Sequence, residues 1–380
     1  MDEPDWGRPE ADVLAHLRDL VERGERGVLA TVIGVEGSAY RRPGAKMVVE
    51  EDGGGSGHIT AGCLEDEVFE LAEAVLEAGE PRVETYDLMD GGDDIWGLGV
   101  GCNGIIDILI EPIDGSLSPA LEALDADRPV AVLTALTGDA PLGARAFYLP
   151  GQGVTAGADF PDWLAEAAAG PAEAALESGA SETVPVETDA GRAELFVDSL
   201  EPAPDLVVFG SGHDVAPVVE LAKRNGFSVT VVGYRGAADL EARFPAADET
   251  VATAPSRVGE AVELDGAHCV VMTHNFVDDR LTLAELVDAE VPYIGLMGPH
   301  ERFAEMLEEF EAEGRTFGET ELEPVYTPIG LDLGGGSPYQ IATSIVAEVL
   351  AVHNGRQPGH LREREDPIHD RVSVGPPAED

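Results

Sequence analysis

Residues 206–235 read LVVFGSGHDVAPVVELAKRNGFSVTVVGYR, and no other stretch constrains the chain as tightly. An apolar run, Leu206 to Phe209, stops at Gly210. Gly210 and Gly212 allow a tight turn and let backbone N–H groups come close to a phosphate. Val215, Val218, Val219 and Ala222 then recur at helical spacing, and Val229 to Val232 forms a second strand. The start of that helix carries free N–H donors and partial positive charge, which suits an anion. An NAD enzyme places a carboxylate after the second strand to bind the ribose. Gly233, Tyr234 and Arg235 stand there instead. The pattern predicts a strand–turn–helix–strand unit that holds a phosphorylated group without the usual sign of NAD.

Strands and helices alternate from residue 205 onward, the pattern of a Rossmann-like, doubly wound parallel sheet. Cys269 to Met272, Pro292 to Leu296 and Val325 to Ile329 read as its later strands. Residues 338–352 read as a long apolar helix, with Ser337 as cap, Pro338 in the first turn and Gln340 as the reciprocal partner. The preceding half reads as a mixed α+β domain. A helix is expected over 12–23, strands at 28–35, 45–49, 57–61, 83–88 and 105–110, and a helix from Cys63 to Ala78. Further strands at 129–136 and 192–200 bracket an alanine-rich helical segment, 162–180. EPAPD, residues 201–205, reads as the joint. The division expected is 1–200 for the α+β domain, 205–355 for the Rossmann-like domain with its last helix, and 356–380 for a mobile tail. No internal repeat is visible.

The formal net charge is −51, from 74 acidic and 23 basic residues, and Lys46 and Lys223 are the two lysines. Since 44% of the residues are apolar and the acids are spread throughout, the chain reads as folded with an acidic surface. Such self-repulsion is screened in concentrated salt, where the Debye length falls to about 3 Å at 1 M. A salt-loving cell is the expected source. The same charge disfavours nucleic-acid backbones and anionic membranes as partners. Three cysteines supply no disulfide framework, and no signal peptide or membrane-spanning run is apparent. A cytoplasmic, soluble protein is expected.

Two segments of the first half set a cysteine among glycines: Cys63 in HITAGCLEDEV and Cys102 in GLGVGCNGIID. Cys63 also lies near an expected helix start, which favours its thiolate. Thiols so placed can meet a soft metal centre or carry sulfur; singly, each also reads as a small buried apolar residue. No spacing supplies the four ligands of a structural zinc. Arg41 and Arg42 stand together in the loop EGSAYRRPG, suited either to bidentate phosphate contact or to surface ion pairs. His213 follows the glycine turn as a ligand contact, an acid or base, or a helix cap. His274, with Asn275 and Asp278, lies at the carboxyl end of a strand, where open α/β sheets bind ligands. GLMGPHER (295–302) and GLDLGGGS (330–337) add glycine turns before helices.

Taken in order, EGSAYRRPGAKM, GHITAGCLEDEV, GLGVGCNGIIDILIEP, FGSGHDVAP, VVMTHNF, YIGLMGP and PIGLDLGGGSPYQIATSIVAEVLAVHNGR resemble the XdhC/CoxI family. The matching blocks run from about Val28 to Arg356. The resemblance implies a maturation chaperone for molybdenum hydroxylases such as xanthine and carbon monoxide dehydrogenase. Such a protein binds molybdenum cofactor (molybdopterin), helps to fit its sulfido ligand, and delivers it to the apoenzyme, with sulfur from a cysteine desulfurase. A homodimer and an accessory rather than turnover role are expected. Arg42, Cys63 and Cys102 match the N-terminal motifs, with the two cysteines as molybdenum or sulfur contacts. Gly210, Gly212, His213 and Asp214 match the Rossmann turn, and His274 the later strand end. The chain departs from the family at Ala39-Tyr40, Ala61-Gly62, Asn103, Gly233 and Asn275. The last two weaken NAD binding and proton transfer, and leave Arg235 for a 2′-phosphate or a pterin phosphate. An NAD(P)-dependent oxidoreductase is the alternative, and a nucleotide-sensing regulatory module a third reading.

Overall fold

The computed structural model describes residues 7–37, 39–62, 64–87, 104–234 and 239–363, with the backbone only for residues 65 and 66. The glycine-rich loop up to residue 103 and the expected mobile tail beyond Glu363 lie outside these residues. The chain divides into two units, Met1–Ala203 and Pro204–Asp380.

The first unit opens on α1 (Glu10–Arg23), whose Val13, Leu14, Leu17 and Leu20 are buried. Gly24 ends it in the left-handed conformation (φ 64°), which a residue without Cβ adopts freely. There follow β1 (Gly27–Gly37), β2 (Lys46–Glu50), β3 (Gly55–Gly57), α2 (Glu65–Ala78), β4 (Arg82–Asp87) and β5 (Gly104–Pro112). The strand expected at 57–61 stops at Gly57. Gly57 has φ 78°, and the chain turns toward α2 with Thr60 Oγ1 accepting from Leu64 N–H. A second set repeats the order: α3 (Ser118–Asp125), β6 (Val130–Gly138), β7 (Arg145–Leu149), β8 (Gly153–Ala156), α4 (Asp162–Ser178), β9 (Glu182–Thr188) and β10 (Gly191–Leu200).

The two sheets share one topology, β3-β2-β1-β5-β4 and β8-β7-β6-β10-β9. Their turns coincide bond for bond. Val32 N–H donates to Ala45 O (2.9 Å), Gly44 N–H to Val32 O (2.8 Å) and Ala45 N–H to Arg42 O (3.1 Å). In the second set Ala135 donates to Ala144 (2.9 Å), Gly143 to Ala135 (2.9 Å) and Ala144 to Pro141 (3.1 Å). The first unit is therefore one motif used twice, a repeat that is not visible in the sequence. The duplication resides in backbone pairing and in-out alternation, which many apolar residues satisfy equally.

That alternation builds the layers. Val28, Ala30 and Val32 pack with Val68, Ala72 and Val75 of α2, and Ala131, Leu133 and Ala135 pack with Leu164 and Ala168 of α4. Intervening residues on the opposite faces, Ile33 and Leu109 against Leu136 and Phe196, join the two sheets.

In the second unit the elements are β11 (Asp205–Phe209), α5 (Val215–Arg224), β12 (Ser228–Gly233), α6 (Leu240–Arg243), β13 (Glu249–Ala252), α7 (Val258–Ala261), β14 (His268–Val271), α8 (Phe276–Asp288), β15 (Tyr293–Leu296), α9 (His300–Ala312), α10 (Glu319–Leu322), β16 (Val325–Tyr326) and α11 (Pro338–His353). The strands lie in the order β13-β12-β11-β14-β15-β16, and every pairing is parallel. This is the doubly wound fold expected, with one core on each face. Leu206 and Val208 pack with Val218, Val219 and Ile345, and Val207 and Phe209 with Leu283 and Met306. Burial on both faces explains why these strands read as unbroken apolar runs. The last strand is shorter than expected, Val325–Tyr326. The cap of α11 takes its expected form: Ser337 Oγ accepts from Gln340 N–H and Gln340 Oε1 accepts from Ser337 N–H (3.2 Å). Among the described residues no helix is long and apolar enough to cross a membrane.

Candidate functional site

In the second unit the strand order reverses at β11, whose neighbours are β12 and β14. The crevice outside the carboxyl ends of β11 and β14 is where such sheets bind ligands. Its first wall is the glycine turn. A Cβ at Gly210 would stand 2.7 Å from the Met272 carbonyl oxygen, so only glycine lets the two strand ends approach. A side chain at Gly212 would meet the Asp214 carboxylate, which folds back over the turn. Asp214 makes no capping bond to α5. Its Oδ2 instead pairs with His274 Nε2 at 2.7 Å. His213 is exposed, and Arg243 donates to the carbonyl of Ser211.

The second wall is the segment Met272–Asn275. His274 takes φ 59°, a conformation that few residues with a side chain adopt and that concentrates at ligand sites. Its ring is 55% exposed, so the face away from Asp214 opens to solvent. Asn275 Oδ1 caps α8 by accepting from Val277 N–H (3.0 Å) and Asp278 N–H (3.1 Å). The buried Asp279 accepts from Thr273 Oγ1 (2.6 Å) and pairs with Arg302 on α9, latching this wall to the next strand end. Arg302 in turn lies over the Phe276 ring, 5.4 Å from its centroid. The sequence offers Arg302, with His300, for an anion, but the structure spends Arg302 on Asp279; that latch and Arg243 were missed by sequence reasoning.

Gly233 ends β12, and Tyr234 is buried with its hydroxyl against Thr282 Oγ1 (2.6 Å). Burial pushes that phenol well above its ordinary range. The ribose-binding position of a dinucleotide site thus holds Gly233 and no carboxylate, and the next side chain turns into the core. Arg235 lies outside the described residues. Cys269 faces the core on β14, where burial raises its thiol, and reads as packing.

In the first unit, Gly37, Asp87, Gly57 and their pairing partners Gly104, Ile105 and Met47 mark one edge of the first sheet. The turn holding Arg41 and Arg42 belongs to this edge. Cys63 and Cys102 both lie outside the described residues. Arg41 pairs with Glu10 (3.2 Å) and Arg42 is exposed. The structure thus brings Gly210, Gly212, Asp214 and His274 together in one crevice and sets Arg42 in the other unit.

Comparison with known proteins agrees over both units. Residues 206–349 match the family model described as the XdhC Rossmann domain, and residues 20–87 that of the XdhC and CoxI family. A Bacillus subtilis (strain 168) protein, named as one of the probable subunits of xanthine dehydrogenase, is 30% identical over 88% of this chain and 95% of its own. The Escherichia coli (strain K12) molybdenum cofactor insertion chaperone PaoD is 24% identical over 91% of this chain and 92% of its own. A crystal structure of a xanthine dehydrogenase from Bacillus halodurans superposes with a TM-score of 0.73 at 29% identity, covering 90% of this chain and 96% of that one.

Proposed function

Because the chain belongs to the XdhC and CoxI family, we propose that it is a maturation factor which binds molybdenum cofactor and delivers it to a xanthine- or carbon-monoxide-dehydrogenase-type apoenzyme. The observation that carries this reading is the likeness to an insertion chaperone across nearly the whole of both chains. The crevice geometry supports it. Molybdopterin ends in a phosphate, and the glycine turn, Arg243 and the outward face of His274 supply donors beside the start of α5. His213 is a further candidate there, and Arg235 remains a candidate from the sequence. On the first unit, Arg42 offers a guanidinium, and Cys63 and Cys102 offer thiols to the soft dithiolene-bound metal or to the sulfur fitted to it. A cysteine desulfurase is the proposed sulfur donor and a homodimer the proposed assembly.

Transfer is the direct test. The protein, loaded with molybdopterin under anaerobic conditions in concentrated salt, should activate a cofactor-free xanthine dehydrogenase faster than free cofactor does. Equal rates with and without the protein would remove the proposal. The parallel sheet and the GxG turn favour NAD(P) oxidoreduction as the second reading. Saturable NADPH or NADH binding with hydride transfer, and no effect on the apoenzyme, would replace the first reading with the second.

A further inference from the structure

The duplication sets two buried cations in equivalent places. From their unlike surroundings we infer that Lys46 is a positioning residue for the Arg41–Arg42 turn, and that Arg42 is the group this turn presents to an anionic part of the cargo. The identity of the anion rests on the proposed function; the positioning rests on geometry alone.

Lys46 opens β2 opposite Thr31, and Arg145 opens β7 opposite Thr134. Each crosses to the other sheet. Lys46 Nζ meets Asp198 Oδ2 on β10 (2.9 Å), and Arg145 meets Glu111 Oε2 on β5 (2.5 Å). Those acids are equivalent too, Asp198 opposite Val132 and Glu111 opposite Leu29. Each cation also reaches the start of the helix preceding its own sheet, Lys46 at Glu10 (3.3 Å) and Arg145 at Ser116 (2.6 Å). The two pairs thus cross-brace the repeats around one cavity.

There the likeness ends. Lys46 also donates to the carbonyl of Gly44 (2.7 Å), inside the turn. The other oxygen of Glu10 receives Arg41 (3.2 Å). The turn is therefore tied at two points to a buried charge network, and Arg41 is consumed in the tie. Arg42, next along, is exposed, and among the described residues it faces no carboxylate within ion-pair distance. Its neighbour in sequence is tied down, so the turn carries one bound and one exposed guanidinium. The second repeat has Pro141 in the place of Arg42, and its turn, residues 139–144, holds no basic residue. Arg145 bonds Thr134, Ser116 and Glu111 instead of its own turn. One frame is used twice, and one copy is adapted to aim a cation.

The repeat supplies its own control. Lys46→Met with Asp198→Leu removes both charges together, which avoids an unpaired buried ion. Arg145→Met with Glu111→Leu does the same at the equivalent place. Hydrogen–deuterium exchange of the full chain should rise about tenfold over residues 39–45 in the Lys46 pair variant, the loss of one charge-assisted tie, and stay unchanged there in the Arg145 pair variant. Molybdopterin binding should weaken by about tenfold or more in the Lys46 pair variant and in Arg42→Ala, hold within about twofold in the Arg145 pair variant, and return in Lys46→Arg. Should the Lys46 pair variant not fold, Glu10→Gln loosens the same turn at less structural cost and takes its place. Unchanged exchange over 39–45, or equal loosening in both pair variants, overturns the positioning role. Full binding by Arg42→Ala with loosened exchange elsewhere as expected overturns the anion contact. If the parent binds no molybdopterin, the proposed function falls while the exchange data still decide the positioning.

Discussion

At the scale of the residue, the pairing of His274 with Asp214 does most to define the crevice. The carboxylate takes Nε2 of a ring that stays more than half exposed. Asp214→Asn should loosen the ring and His274→Ala remove the contact. Each should weaken molybdopterin binding by about tenfold, the effect of one hydrogen bond to a charged group, with little change in melting temperature. Titration calorimetry beside thermal melts separates that outcome from simple unfolding. His268 makes a second, independent prediction. It is 6% exposed, 5.4 Å from the His353 ring, and its Nδ1 has no hydrogen-bond partner. Burial, then the neighbouring His353, lowers its affinity for a proton below the ordinary 6.5. A histidine so depressed adds stability above about pH 6.5 that is lost as the pH falls through its folded value. His268→Phe should therefore flatten the acid side of the stability curve, read as the difference between variant and parent melts from pH 7.5 to 5. These residue roles were only partly legible in the sequence. His274 and Asp214 could be singled out because each follows a strand or a glycine turn. Their pairing could not, because they lie sixty positions apart and meet only once β11 and β14 are neighbours.

At the scale of the element, the second unit was legible because its signals are local. A glycine turn, a helical stripe and a capping box each sit within a few residues. Gly210 is the most demanding of them. Gly210→Ala would press a methyl against the Met272 carbonyl and should cost about 1–3 kcal/mol, measured by denaturant melts. Ser337→Ala, by contrast, should cost about 1 kcal/mol through the lost cap of α11. The first unit was less legible. Strands β7 and β8 are five and four residues long, and Ala146 in β7 and Pro185 in β9 are residue types depleted in strands. The duplication left one trace, Gly44-Ala45-Lys46 and Gly143-Ala144-Arg145, too brief to recognise without the pairing registers. Connections differ between the copies as well: residues 88–103 join β4 to β5, whereas residues 189–190 join β9 to β10.

At the scale of the whole molecule, a formal charge of −51 acts on both units alike. Buried cations such as Lys46 resist it locally. Burial alone would lower that ammonium's proton affinity, but Asp198 and Glu10 raise it, so Lys46 stays charged at neutral pH. The surface acids have few such partners, and screening must do the rest. Melting temperature should therefore climb steadily with potassium chloride from about 0.1 M toward 2 M, well past the concentration at which an ordinary domain levels off. A flat profile would remove the salt-adapted reading of the composition. The central claim concerns cargo, and native mass spectrometry tests it most directly. The protein is isolated anaerobically in molar salt from a host that makes molybdenum cofactor while its hydroxylase apoenzyme is withheld. The account predicts a chain carrying a pterin adduct whose phosphate and dithiolene fragments appear on dissociation. A bare chain mass from such a host, or a nicotinamide dinucleotide in the adduct's place, would contradict it.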